Sequence, residues 1–294
     1  PAIANAGCPW VRVVSCAETE LPDAAVPPYL SGCLAGDTQA CERYTGQYLK
    51  AVAPAHERFS QFLLSNGTAP CPPGQFLTDS PWLNLLLSPT PVRYERRQPL
   101  DPQRYVYLDG CVRREAPYIV PDFPRYNDAP LIYLSFGSLG AADTAMMKRL
   151  ISTIETLPYR FLVNVGAYRD MYTTVPDNVY LDSWFAQPAV LKECDVFIHH
   201  GGNNSFCEAL YFGLPSLIIP YCWDGHDNAA RAEETGVGRY LPRFVDPVAA
   251  LPAALEQLLH DQTMKQRLKA FSERMQATRG TDIAARAILA LPDL

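Results

Sequence analysis

The densest run of chemically capable residues lies between Asp195 and Leu210, in Asp-Val-Phe-Ile-His-His-Gly-Gly-Asn-Asn-Ser-Phe-Cys-Glu-Ala-Leu. Imidazoles at His199 and His200 precede paired glycines, short polar side chains and the carboxylate of Glu208. Val196 to Ile198 is apolar, β-branched and aromatic, which predicts a buried strand. Gly201 and Gly202 open backbone conformations that other residues resist. Asn203, Asn204 and Ser205 are N-cap candidates, and Ser205 to Phe212 has helical composition. A parallel strand feeding a helix through a glycine turn aims unpaired N–H groups and the positive helix end at one point. That arrangement suits phosphate. His200 belongs to the strand's C-terminal edge, where open α/β sheets bind ligands. Glu208 follows Asn204 by one helical turn, so both can face the same side.

Each of these residues also has a plainer explanation. A lone His200 is most simply a hydrogen-bonded histidine at a strand end. Asn204 and Ser205 could only cap the helix, Glu208 could be a surface carboxylate, and Asp224 a loop or capping aspartate. Trp184 sits in a predicted βα loop, where a partly buried packing tryptophan is as good a reading as a ligand contact. His199 should point to the opposite face of the strand from His200 and be structural. A metal centre built from His199, His200, His226, Asp224 and Asp227 is a rival. The chain, however, has no HxH, HExxH or DxD spacing, and backbone N–H groups can neutralise a diphosphate unaided. No metal is expected. A serine hydrolase is disfavoured by the lack of a GxSxG elbow.

Taken in order, the residues around this turn resemble the signature of family 1 glycosyltransferases, the UDP-glycosyltransferases. The likeness runs from Trp184-Phe-Ala-Gln187, through His200-Gly-Gly-Asn-Asn-Ser205 and Glu208, to Gly213-Leu-Pro215, Pro220, Asp224 and Asp227-Asn-Ala-Ala-Arg231. It is nearest to bacterial members, since Asn203 stands where many plant enzymes have tryptophan. The resemblance implies an α/β fold of GT-B type, with one complete Rossmann-like donor domain and the C-terminal part of a second. It also implies inverting, metal-independent transfer of a hexosyl group to a hydroxyl of a small lipophilic acceptor. The co-substrate would be a UDP- or dTDP-sugar, with no further cofactor.

The same resemblance implies roles for single residues. Trp184 would stack on the base, and Gln187 and Glu208 would hold the ribose. His200, Gly201, Gly202, Asn204 and Ser205 would surround the diphosphate. Asp224 would meet the transferred sugar, and the Gly137-Ser138 turn would approach the donor. Two departures bear on this: Ala186 replaces a frequent proline, and Gly225 stands where glutamine commonly follows the aspartate. In this family the general base is a histidine near the start of the first domain, paired with an aspartate. His56 lies within a long predicted helix and is not assigned that role. The opening at Pro1, just before a strand, suggests that the start of the first domain is missing. A nucleotide-sugar-binding half, needing a separate N-terminal half for catalysis, or an inactive remnant, is therefore the alternative. A GT-B epimerase is a weaker third reading, for want of a carboxylate set for proton abstraction.

Composition sets the frame. The 294 residues, 48% hydrophobic and 19% charged, suffice for one large or two ordinary domains. A net charge of −6 gives no electrostatic case for nucleic acid or an anionic membrane. The 9 cysteines form no CxxC pair, which favours free thiols and a cytoplasmic setting; no signal peptide or membrane-spanning run is evident.

Residues 1–126 are read as the remaining acceptor domain and linker, and 127–294 as the donor domain with its C-terminal helices. The first part should hold a strand from Val11, a long helix from Asp37 to Leu64 kinked or split at Pro54, and strands at Leu83–Leu87 and Tyr105–Leu108. Arg93, Arg96 and Arg97 are expected on a solvated loop, and Pro117 to Pro130 as a linker. The second part alternates strands at Leu131–Phe136, Phe161–Val165, Val179–Leu181, Val196–Ile198 and Leu217–Ile219 with helices, and three helices end the chain. Alternation of this kind implies a parallel sheet covered on both faces.

Overall fold

The computed structural model describes residues 2–292. Pro1, Asp293 and Leu294, which open and close the two expected parts, lie outside the described residues.

Strands β1 (Val11–Val14), β2 (Leu83–Leu86) and β3 (Tyr105–Tyr107) pair in parallel in the order β1-β2-β3. Between β1 and β2 lies α1 (Thr38–Ser65), capped by Asp37, whose carboxylate accepts from Ala40 N. Of the kink or split expected at Pro54, the split does not occur: α1 is one helix across it. Among its described residues Leu63 alone is fully buried, while Phe62 and Leu64 are exposed. The expected solvated arginine cluster also needs correction. Arg93 and Arg97 are exposed, but the Arg96 guanidinium is drawn inward by the buried Glu18 at 3.5 Å. It also donates to the carbonyls of Leu21 and Pro22.

The second sheet is built from β4 (Leu131–Ser135), β5 (Arg160–Asn164), β6 (Val179–Asp182), β7 (Val196–His199), β8 (Ser216–Ile218) and β9 (Gly238–Tyr240). All pairings are parallel, in the order β6-β5-β4-β7-β8-β9. Strands buried on both faces read as continuous apolar runs, and β4 and β7 are buried at every position. The short β9 is not foreseen from sequence, because Gly-Arg-Tyr carries almost no strand signal. Two apolar clusters cover the sheet. The larger includes Ile132, Leu134, Phe161, Ile198, Phe206 and Leu217; the other joins Tyr133, Leu162, Phe185 and Phe197 to Phe123 of the connector.

The helices α2 (Gly137–Gly140), α3 (Thr144–Ile154), α4 (Gln187–Leu191), α5 (Asn203–Phe212) and α6 (Gly225–Glu234) join these strands. Then α7 (Pro247–His260), α8 (Gln262–Gln276) and α9 (Gly280–Leu289) close the chain. The last of them crosses back: Ile283, Ala284 and Ala287 pack against Leu83 and Leu85 of the first sheet and Leu108 just after β3. No helix among the described residues is long and apolar enough to cross a membrane.

The strand order has one consequence for chemistry. Connections leave β4 and β7, which are neighbours, toward opposite flanks of the sheet. This divergence opens a crevice at their carboxyl ends. Gly137 follows β4 by two residues and His200 follows β7 directly, with Ser135 paired to His199 in register.

Candidate functional site

The crevice widens into a cleft of about 660 Å³ between the two sheets. Of the residues singled out in the sequence, Gly137, Trp184, Gln187, His200, Gly202, Asn204, Ser205, Glu208 and Asp224 line it. Ser138 and Gly201 do not.

Gly201 instead makes the turn possible from behind. Its φ is +84°, and a Cβ there would stand 2.5 Å from the carbonyl oxygen of Gly225 and 2.8 Å from its Cα. Only a residue without Cβ satisfies both the left-handed backbone and the approach of α6. Asn228 Nδ2 donates to Gly201 O at 2.8 Å and fixes the same crossing. Gly202 has an ordinary φ of −57° but a different constraint: a Cβ on it would overlap Cε1 of His200. On the other side, a Cβ on Gly137 would stand 3.3 Å from His200 Nε2. The imidazole is thus seated between two glycines that belong to the two adjacent strand ends. Burial pushes the His200 pKa down, so the ring is neutral near pH 7 and carries one N–H donor.

His199 turns to the other face. It is fully buried, its ring stacks on Phe197 at 4.6 Å, and its Nδ1 accepts from Gly201 N. The expected capping by Asn203, Asn204 or Ser205 is not found. The helix begins two residues before the expected Ser205, at Asn203, with Gly202 at the cap position and no side chain bonded to the freed N–H groups. The Asn203 side chain turns away from these groups, and its amide donates to Leu87 O in the loop that follows β2. The exposed α5 amides therefore keep their donors directed to the cleft.

Down the same face of α5, Glu208 is 8% exposed, and burial pushes its carboxyl pKa up. Gln187 Nε2 donates to Glu208 Oε2 at 2.6 Å, and Arg113 Nη1 stands 4.0 Å from Oε1. Trp184 is 65% exposed, which removes the packing explanation offered for it. Its neighbour Phe185 does the packing instead, edge-on against Tyr133. Asp224 reaches the first sheet's loop, accepting from Ala17 N at 3.0 Å, and burial raises its pKa to about 6.

Residues not foreseen from sequence also line it, among them Ser15, Cys16 and Tyr29 from the first part, Arg113 from the connector, and Trp223. Trp223 is 63% exposed and has φ +51°, unusual for a bulky residue. The others carry no local signature, since it is the closing of the two sheets on each other that makes them neighbours. Among the described residues no group of histidine, cysteine, aspartate and glutamate side chains is arranged to hold a metal ion.

Comparison with known proteins agrees with this geometry. Residues 153–289 match the family described as erythromycin biosynthesis protein CIII-like, C-terminal domain. The chain is 30% identical over 161 residues to the NDP-glycosyltransferase YjiC of Bacillus subtilis (strain 168), covering 54% of this chain and 41% of that protein. It is 31% identical over 165 residues to the erythronolide mycarosyltransferase of Saccharopolyspora erythraea, covering 53% and 39%. The chain thus spans about two fifths of the length of these relatives. In three dimensions it resembles the glycotransferase of kitacinnamycin with a TM-score of 0.73 at 23% identity, over 99% of this chain and 72% of that one. A sheet with its crevice between β4 and β7, a glycine turn seating His200, and matched relatives of one kind point the same way: the chain is similar to family 1, nucleotide-sugar glycosyltransferases of GT-B fold, and corresponds mainly to their C-terminal part.

Proposed function

We propose that this chain binds a UDP- or dTDP-linked hexose in the cleft and serves its inverting transfer to a hydroxyl of a small lipophilic acceptor. The observation that carries the reading is the alignment along one wall of Trp184, the Gln187–Glu208 pair, and His200 between Gly137 and Gly202. An exposed indole is a stacking platform for a base, worth about 1–3 kcal/mol. A carboxylate held by an amide can accept two ribose hydroxyls. The free amides of α5 and the His200 N–H are donors for the diphosphate, and they need no metal ion. As the sugar departs, negative charge grows on the diphosphate, so these fixed donors favour the transition state over the ground state. Asp224, which also lines the cleft, would meet the sugar's hydroxyls.

The acceptor reading rests on a second cavity of about 410 Å³, under α1 and the loop after β1, lined by Tyr29, Tyr44, Tyr48, Phe76, Pro27 and Pro28 among others. Tyr29 lines both cavities. Aromatic and proline walls suit a lipophilic ring system. One relative acts, by its name, on erythronolide.

One observation favours a second reading, a donor-binding unit that takes its general base from another segment or a partner. The first part offers the cleft Ser15, Cys16 and Tyr29, whereas His56 bonds Pro72 O on the outside of α1. Kinetics with donor varied at saturating acceptor, and the anomeric configuration of the product, test both. His200→Ala should lower kcat about ten- to a thousandfold. Glu208→Ala should chiefly raise the donor KM, because the ribose is unchanged during reaction. Unchanged kcat in His200→Ala, with product release shown not to limit turnover, would remove the leaving-group role. Nucleotide binding without turnover, restored by an added N-terminal partner, would favour the second reading.

A further inference from the structure

The nucleotide-binding wall described above has little positive charge of its own. His200 is neutral, and Glu208 and Asp224 are carboxylates. Among the described residues lining the cleft, the one permanent cation is Arg113, and it lies on the connector between β3 and β4.

The connector is held firmly just before this residue. Gly110 has φ +71°, and a Cβ on it would overlap the carbonyl oxygen of Thr278 and stand 2.9 Å from that of Met275. Gly280 returns the contact, since a Cβ there would overlap the carbonyl oxygen of Asp109. The two glycines interlock the connector with the turn between α8 and α9. Asp109 also accepts from Thr90 N at 3.0 Å. From this anchored backbone the Arg113 side chain extends over the cleft, with Nε donating to Glu115 Oε1 at 2.5 Å and Nη1 4.0 Å from Glu208 Oε1. The side chain is 57% exposed, so this pairing is weak and readily exchanged. A guanidinium in such a position can pass from carboxylate to phosphate, which it binds as a planar fork. Glu208 loses little by the exchange, because Gln187 holds its other oxygen.

We infer that Arg113 is a donor-binding residue, supplying from the connector the positive charge that the diphosphate meets in this cleft. The inference rests on the reading of the cleft as a nucleotide-sugar site. It assigns the connector a part in substrate binding beyond joining the two sheets.

Calorimetric titration of the chain with UDP and with uridine, at low and high salt, tests it on wild type, Arg113→Ala and Arg113→Lys. Arg113→Ala should weaken UDP about tenfold at low salt and leave uridine within about twofold, as expected for loss of a charge-assisted phosphate contact. Arg113→Lys should recover part of the UDP affinity, and melting temperatures should agree because the residue is exposed. Equal losses for UDP and uridine would place Arg113 with Glu208 at the nucleoside and overturn the inference, as would unchanged UDP binding. Wild-type chain that bound neither UDP nor dTDP would overturn the donor reading itself, and the inference with it.

Discussion

A Cβ atom on Gly202 would overlap Cε1 of His200 and stand 3.0 Å from its Nε2, so the second glycine of the turn is the space in which the imidazole lies. The first glycine, Gly201, is needed for its own backbone, at φ +84°, and for the approach of Gly225.

The two glycines should therefore fail differently on substitution. Gly202→Ala has no backbone strain to bear, and the flexible element it meets is the imidazole. It should displace His200 and lower kcat nearly as far as His200→Ala, with little change in melting temperature. Gly201→Ala meets backbone atoms in a left-handed conformation and should cost about 2 kcal/mol or more in stability. Urea unfolding of both variants, beside their kinetics, separates a functional glycine from a structural one.

Much of this is legible in the sequence because the signals are local. Strand, glycine turn and helix follow one another within Val196 to Phe212, and the alternation of elements after Leu131 implies the parallel sheet. What escapes depends on contacts distant in sequence. Arg96 has the sequence context of a solvated charge, but Glu18, 78 residues away, stands beside it. Asn203, Asn204 and Ser205 have the composition of caps, but helix α5 already starts at Asn203 with Gly202 at the cap position, and the Asn203 amide bonds Leu87 O instead. Pro54 predicts a kink or a split, and α1 is not split there: it continues through Pro54 on a largely exposed surface.

Asp227 docks the loop after β1 onto α6. Its carboxylate accepts from Thr19 Oγ1 at 2.6 Å and from the amides of Leu30 and Gly32 at 2.8 Å. Asp227→Ala leaves these donors without their acceptor and should destabilise the chain by about 2–4 kcal/mol. Hydrogen exchange at the Leu30 and Gly32 amides should quicken more than in the sheet core. Equal exchange in variant and wild type would mean the loop is held by other contacts.

Asp224 makes stability depend on pH in a defined sense. Its folded pKa is raised by burial from an ordinary 3.8 to about 6, so the unfolded chain gives up this proton first as pH rises. The contribution of the group is thus fully favourable below pH ~4 and declines as pH passes from about 4 to about 6. Asp224→Asn keeps a side-chain oxygen for Ala17 N without the charge. At pH 7.5 it should be more stable than wild type by about 2 kcal/mol, and near pH 4 the difference should vanish. Denaturation midpoints at the two pH values decide this; a difference independent of pH would contradict the burial of an ionisable carboxylate here.

The central claim is that one wall of the cleft binds a nucleoside diphosphate through side chains and helix amides, with no metal ion. Calorimetric titration of the chain with UDP and dTDP in the presence of EDTA tests it most directly. The account predicts saturable binding of at least one of them in the micromolar-to-millimolar range, ~4–8 kcal/mol, weakened in Glu208→Ala. Absence of heat and of any thermal shift at saturating nucleotide, or binding that appears only when a divalent cation is restored, would contradict it.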